Sequence, residues 1–217
     1  MIYSNKILYE KSVTLNNPVP DIIETDNLHI KGPLHEHWSL GDFHKFQTDY
    51  CGEEMAKYNL YKKPETLAYT RNKMYKYMIK NWNNMQDMYY VLEEKETREE
   101  YEHEYIGVMG INFEWDKKYA ELSIWLHKDV WGEEYFAEGA EAFFEVIFNH
   151  PVNYGIDLIT LVPASQNNNS IKAIEKIMNT FNGQLDGIIR NYEFFDGIGV
   201  DNCHRFSIKY DEYINSN

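Results

Sequence analysis

The run Ile156-Asp157-Leu158-Ile159-Thr160-Leu161-Val162 constrains the fold most. It is nearly continuous in apolar residues, which marks a strand buried on both faces of a sheet. An amphipathic helix precedes it, with Phe136, Ala140, Phe143, Phe144 and Ile147 on one face. Strand patterns cover 28–31, 88–92, 105–113 and 120–126. A second helix is predicted over 170–181, followed by strands over 184–195 and 203–210 around the turn signal Asp196-Gly197. Between Trp38 and Trp82 the pattern is mostly helical, with breaks near Cys51-Gly52 and Lys63-Pro64 and a helix start at Pro64-Glu65-Thr66. Leu67, Met74, Tyr77 and Met78 recur at near-helical spacing, and Asn16 to Pro20 reads as a turn. The charged run 93–104 reads as a solvated hairpin loop. One mixed α/β domain with a central sheet fits this order.

The 217 residues are 43% hydrophobic, enough for one sizeable core. No run approaches the ~20 apolar residues of a membrane span. The start, MIYSNKILYEKSV, carries charge within its apolar part and lacks a signal-peptide core, so a cytoplasmic protein is expected. Cys51 and Cys203 lie far apart and read as buried free thiols. His35-Glu36-His37 lacks a third nearby ligand and reads as a solvated loop, so no metal is expected. The net charge of −14 disfavours nucleic acid or an anionic membrane as partner. It serves solubility and is compatible with a cationic substrate.

Between the third strand pattern and the first helix lies Trp131-Gly132-Glu133-Glu134-Tyr135-Phe136-Ala137. A glycine ahead of a helix lets backbone approach a ligand, and the first turn offers unpaired N–H groups with partial positive charge. That is an anion site in outline. Glu133 and Glu134 favour an ordinary surface helix, since acidic residues in a first turn complement the dipole. At the second helix, Asn167 is suited to bond an amide-rich ligand, and Ser170 either caps the helix or donates a proton.

These residues resemble the GNAT acetyltransferase family, most closely its RimJ/RimL-like subgroup. Ala120 to Leu126 with Trp131-Gly132 resembles its fourth strand and pyrophosphate loop. Pro163, Asn167, Ser170, Glu175 and Lys176 match the start of its next helix. Asp186-Gly187-Ile188-Ile189-Arg190, Gly197, Asp201 and Phe206-Ser207 match its closing hairpin. The resemblance implies a single domain over 27–217 after an extension, 1–26. Its sheet is central, mixed and mostly antiparallel, with helices on both faces. Acetyl-CoA is the implied co-substrate. Backbone of Ile124, Trp125 and Leu126 would pair with its pantetheine arm, and the turn from Trp131 to Ala137 would cradle its pyrophosphate. Asn167 and Ser170 would face the arm and the thiol.

The sequence departs from that pattern in three places. Glu134 replaces the second glycine of the loop, and like charges a few Å apart repel by a few kcal/mol at an effective dielectric of ~20, less when exposed. Thr180-Phe181 stands where Gly-Phe is usual. Ile174 stands where many relatives carry a tyrosine acid, a feature shared by RimL-like members, which implies Ser170 as proton donor to the leaving thiolate. An amine must lose its proton before it attacks, so a carboxylate base is needed. Glu121 and Asp186 are the candidates. The acceptor is an amine-bearing small molecule, such as a polyamine, or a peptide N-terminus, and a homodimer is compatible with the family. The rival reading is a non-catalytic binding module with a degenerate pyrophosphate loop.

Overall fold

The computed structural model describes residues 8–9, 20–50, 57–58, 63–96, 105–149 and 155–216. Residues 16–19 of the expected turn, the break at Cys51-Gly52 and residues 97–104 of the charged run lie outside them. Among the described residues one sheet contains β1 (Leu8–Tyr9), β2 (Ile22–Glu24), β3 (Leu28–Lys31), β4 (Asp87–Glu94), β5 (Tyr105–Glu114), β6 (Tyr119–Leu126), β7 (Leu158–Leu161), β8 (Gln184–Phe195) and β9 (Gly199–Lys209). Their spatial order is β1-β2-β3-β4-β5-β6-β7-β9-β8. Only the β6–β7 pair is parallel among them. Residue 26 falls in the turn joining β2 to β3, so β2 extends the sheet from the N-terminal side.

The helical segments are α1 (Leu40–Lys45), α2 (Leu67–Tyr69), α3 (Lys76–Asn84), α4 (Tyr135–Asn149), α5 (Asn168–Thr180) and α6 (Tyr210–Ile214). α1 runs on into a π-helical turn, Phe46–Tyr50, and α2 reaches α3 through another, Thr70–Tyr75. Local chemistry sets the starts. Ser39 caps α1 by accepting from Asp42 N–H, and Thr66 caps α2 by accepting from Tyr69 N–H. The expected start at residues 64–66 is therefore correct. Leu67 and Tyr77 are nonetheless exposed, because the π turn rotates the helix surface away from a regular 3.6-residue period.

α4 and α5 cover one face of the sheet. Ala140, Phe143, Phe144 and Ile147 are buried there with Ile174 and Met178, against Met88, Tyr90, Met109, Ile111 and Ile159. Each large apolar side chain buried this way contributes about 1.5–3 kcal/mol. Gly139 lets α4 lie close on β5, since a Cβ there would come within 2.8 Å of Met109 Sδ. On the opposite face Phe43, Phe46 and Met78 pack on Val91, Tyr105 and Val108.

Two expectations are corrected. The charged run is not a loop from its first residue: Glu93 and Glu94 end β4, where Glu93 pairs with Lys31 and Glu94 is buried accepting the Tyr135 hydroxyl. β9 starts at Gly199 rather than 203, because Phe195 pairs with Gly199 and leaves three turn residues, 196–198.

Candidate active site

β6 and β7 pair only over Tyr119–Leu158, Ala120–Ile159 and Glu121–Thr160. Beyond that register they part. β6 runs on to Leu126 with β5 as its partner, and β7 ends at Leu161 on β9. Among the described residues no strand therefore pairs with the β7-side edge of Ile124, Trp125 and Leu126. Each strand then leads by a short loop to a helix start, β6 to α4 and β7 to α5. The gap between the strands opens toward two helix N-termini.

The first loop is held by its own residues. The Trp131 indole N–H donates to the Leu126 carbonyl at 2.9 Å, folding the turn back on the strand end. Gly132 follows at φ +90°, where an L side chain is strained, although open space surrounds it. Glu133 N–H returns to the Val130 carbonyl at 3.3 Å. The first helical bond runs from Glu138 N–H to the Glu134 carbonyl, so the N–H groups of Phe136 and Ala137 precede the helical ladder. The acidic side chains reach sideways. Glu134 pairs with Lys176 of α5 at 3.0 Å, both exposed. Glu138 accepts from the backbone and side-chain N–H groups of Asn27, at 2.7 and 3.0 Å. Tyr135 is tied to Glu94, and Phe136 and Ala137 pack on the main core.

At the second loop the cap is Asn167, not Ser170. Asn167 Oδ1 accepts from Ser170 N–H at 3.2 Å, which places Ser170 in the first turn of α5. Asn is as good an N-cap as Ser, and it stands one residue before the helix begins. The Asn167 amide N–H groups and the Ser170 hydroxyl make no hydrogen bond among the described residues.

At the narrow end of the gap a polar network crosses four strands. Tyr119 O–H donates to Glu121 Oε2 at 2.9 Å, and its oxygen lies 2.7 Å from Thr160 Oγ1. Thr160 is fully buried. The Arg205 guanidinium sits 5.5 Å from the Tyr119 ring centre. Its Nε lies 3.6 Å from Asp186 Oδ2, an ion pair too long for a hydrogen bond. β8 slips register between Leu185 and Gly187, so Asp186 is the extra residue of a bulge. Asp186 Oδ1 accepts from the Ser207 hydroxyl at 2.9 Å and from Gln184 Nε2 at 3.2 Å. The two candidate carboxylates therefore belong to one network.

Burial pushes the Glu121 carboxyl above the usual carboxylate range, while the Tyr119 hydrogen bond and Arg205 pull it down; Glu193 and Glu114 add to the upward push. Burial, then Glu121, drives the Tyr119 phenol well above its ordinary value. Burial and then Asp201 raise the Cys203 thiol to about 11. Cys203 is a buried free thiol, and Cys51 lies outside the described residues.

Tyr119, Thr160 and Arg205 escaped the sequence reading, and Ser207 entered it only within the hairpin match. Faint signals exist. Tyr119 and Glu121 share a face at i, i+2, as do Arg205 and Ser207. Thr160 is the hydroxyl inside the apolar run.

A family model described as an acetyltransferase (GNAT) domain matches residues 35–177. Solved structures resemble the chain in fold. One is RimL, a ribosomal-protein alpha-N-acetyltransferase in complex with coenzyme A: 14% identical, covering 89% of this chain and 98% of that one, TM-score 0.70. Another is the spermidine N-acetyltransferase from Vibrio cholerae in complex with CoA and spermine: 15% identical, coverage 87% and 98%, TM-score 0.65. A third is the microcin C7 self-immunity acetyltransferase with acetyl-CoA and AMP: 13% identical, coverage 85% and 93%, TM-score 0.66. No curated protein sequence matches the chain.

Proposed function

The chain belongs to the GNAT acetyltransferase family, and from that membership we propose that it moves an acetyl group from acetyl-CoA to an amine acceptor within a ternary complex. The observation that carries this reading is the parting of β6 and β7 beyond Glu121 and Thr160, with an open strand edge above and two helix starts at its mouth. The residues fit the co-substrate. The edge of Ile124 to Leu126 that no described strand covers offers backbone to the pantetheine arm, with the Leu126 carbonyl already held by the Trp131 indole. The turn from Trp131 to Ala137 offers N–H groups and the helix dipole to the pyrophosphate. Glu134 is engaged by Lys176, which removes the main objection to an anion there. Asn167 keeps amide N–H groups for the arm.

Acetyl-CoA supplies a thioester that a neutral amine attacks, and the departing thiolate takes up a proton. Glu121 accepts the proton from the incoming ammonium, and its raised pKa suits that task. Ser170 gives its proton to the thiolate and takes up in return the proton that the attacking nitrogen sheds as the amide forms. Asp186 has its oxygens occupied by Ser207, Gln184 and Arg205, so it orders the network rather than acting as base. Holding amine and thioester together supplies much of the rate. The acceptor is a small amine or a peptide N-terminus, consistent with the acidic chain and with acceptors of RimJ/RimL-like relatives. Residues 27–217 form the catalytic domain, with β2 of the extension added to its sheet.

Calorimetric titration of acetyl-CoA, followed by thiol release with a polyamine, a peptide with a free N-terminus and an aminoglycoside, tests the proposal. A Kd on the order of micromolar and amine-dependent thiol release are expected. Failure to bind acetyl-CoA overturns it. Binding without thiol release from any amine favours the non-catalytic module.

A further inference from the structure

Glu121 accepts one hydrogen bond, from Tyr119 to Oε2, and Oε1 accepts none among the described residues. Tyr119 is itself fixed from behind by Thr160 of β7, whose side chain is sealed from solvent. A phenol held between a buried hydroxyl and a carboxylate has little freedom to turn. Arg205 is the cation facing Glu121, yet among the described residues no ion pair joins them. Arg205 lies over the Tyr119 ring and leans on Asp186, which Ser207 and Gln184 hold in place. The geometry keeps the cation beside the carboxylate without locking the two together.

We propose that Tyr119, backed by Thr160, is a positioning residue that tethers Oε2 of Glu121 and leaves Oε1 as the oxygen that takes the acceptor's proton. This inference rests on the acetyltransferase reading above. The proton passes from the acceptor's ammonium to Oε1, the amine becomes neutral, and the Tyr119 proton stays on its phenol. Other titratable groups face Glu121 from neighbouring elements: Arg205 and Cys203 from β9, Glu193 and Tyr192 from β8, and Glu114 from β5. None of these donates a hydrogen bond to Glu121 among the described residues, so the tether belongs to Tyr119.

The test is carbon NMR titration of the Glu121 carboxyl in the full chain, assigned with Glu121→Gln, beside the pH profile of kcat/KM. Tyr119→Phe removes a hydrogen bond to the charged form, so the midpoint and the acid limb both move up, by about one pH unit. Thr160→Val produces a smaller rise, and Thr160→Ser, which keeps the hydroxyl, restores the wild-type midpoint. The KM for acetyl-CoA stays unchanged throughout. An unmoved midpoint in a natively folded Tyr119→Phe protein overturns the tether, whatever its activity. A midpoint that moves in a protein unable to acetylate any amine sinks the reaction assigned above and leaves the tether standing.

Discussion

At its narrow end the gap between β6 and β7 holds Glu121 against Tyr119 and a sealed Thr160. At its wide end it holds Glu134 against Lys176 in the open, with side chains 52% and 68% exposed. Both are carboxylates held by a neighbouring side chain, but their surroundings differ. Burial at the narrow end weakens water's screening, so a lost or gained charge there is felt strongly. Solvent at the wide end damps the same change to a fraction of that. Chemistry is therefore expected to depend on the narrow end, and co-substrate affinity only gently on the charges at the wide end.

The sharpest way to break this contrast is Glu121→Gln. Removing a general base costs roughly 10²- to 10⁴-fold in rate. We expect that loss in kcat/KM for the amine, with acetyl-CoA affinity unchanged by calorimetry. Stability should move the other way. The Glu121 carboxyl titrates above its usual range, so the folded state binds its proton more tightly than the unfolded chain does. Ionisation then costs stability as pH rises through that range, and nothing below it. The variant should melt higher than the wild type at about pH 7, with the gap closing toward about pH 4. A variant that keeps full activity removes Glu121 from the mechanism.

The wide end was legible in the sequence because it is one contiguous stretch. A strand, a glycine and a helix start within a dozen residues can be read without knowing the fold. What could not be read is where Glu134 points, since Lys176 reaches it from the next helix. The narrow end was legible only in part. Glu121 and Asp186 came from family resemblance, whereas Tyr119, Thr160, Arg205 and Ser207 meet only once β6, β7 and β9 lie side by side. The long strands and the two long helices from Asp87 onward were clear because their apolar periods are regular, whereas the start of β9 and the short helix α6 were not foreseen. The segment before them was harder, because two π-helical turns break the helical period.

A middle-sized effect is expected at Gly132, where the wide end depends on backbone rather than charge. At φ +90° with open space around it, Gly132→Ala meets no clash but incurs about 1–2 kcal/mol of backbone strain. If the turn relaxes to relieve that strain, its N–H groups lose their aim. Acetyl-CoA affinity should fall roughly five- to thirtyfold in calorimetry, with the amine's dependence on pH unchanged. Unchanged affinity would mean that this turn is not the phosphate site.

The smallest effect belongs to the ion pair at the same turn. Lys176→Met takes its cationic partner from Glu134 beside the pyrophosphate. An exposed pair contributes about 0–1 kcal/mol, so acetyl-CoA should bind no more than about fivefold more weakly at low salt. Adding Glu134→Gln removes the excess charge and should restore wild-type affinity. Raising the ionic strength to about 1 M, where the screening length shrinks to about 3 Å, should erase the difference between all three proteins. The pair thus separates two kinds of contribution at the wide end. If Lys176→Met instead weakens binding more than about tenfold and Glu134→Gln does not rescue it, Lys176 touches the ligand itself. The wide end would then resemble the narrow one, with a side chain rather than the backbone as its chief instrument.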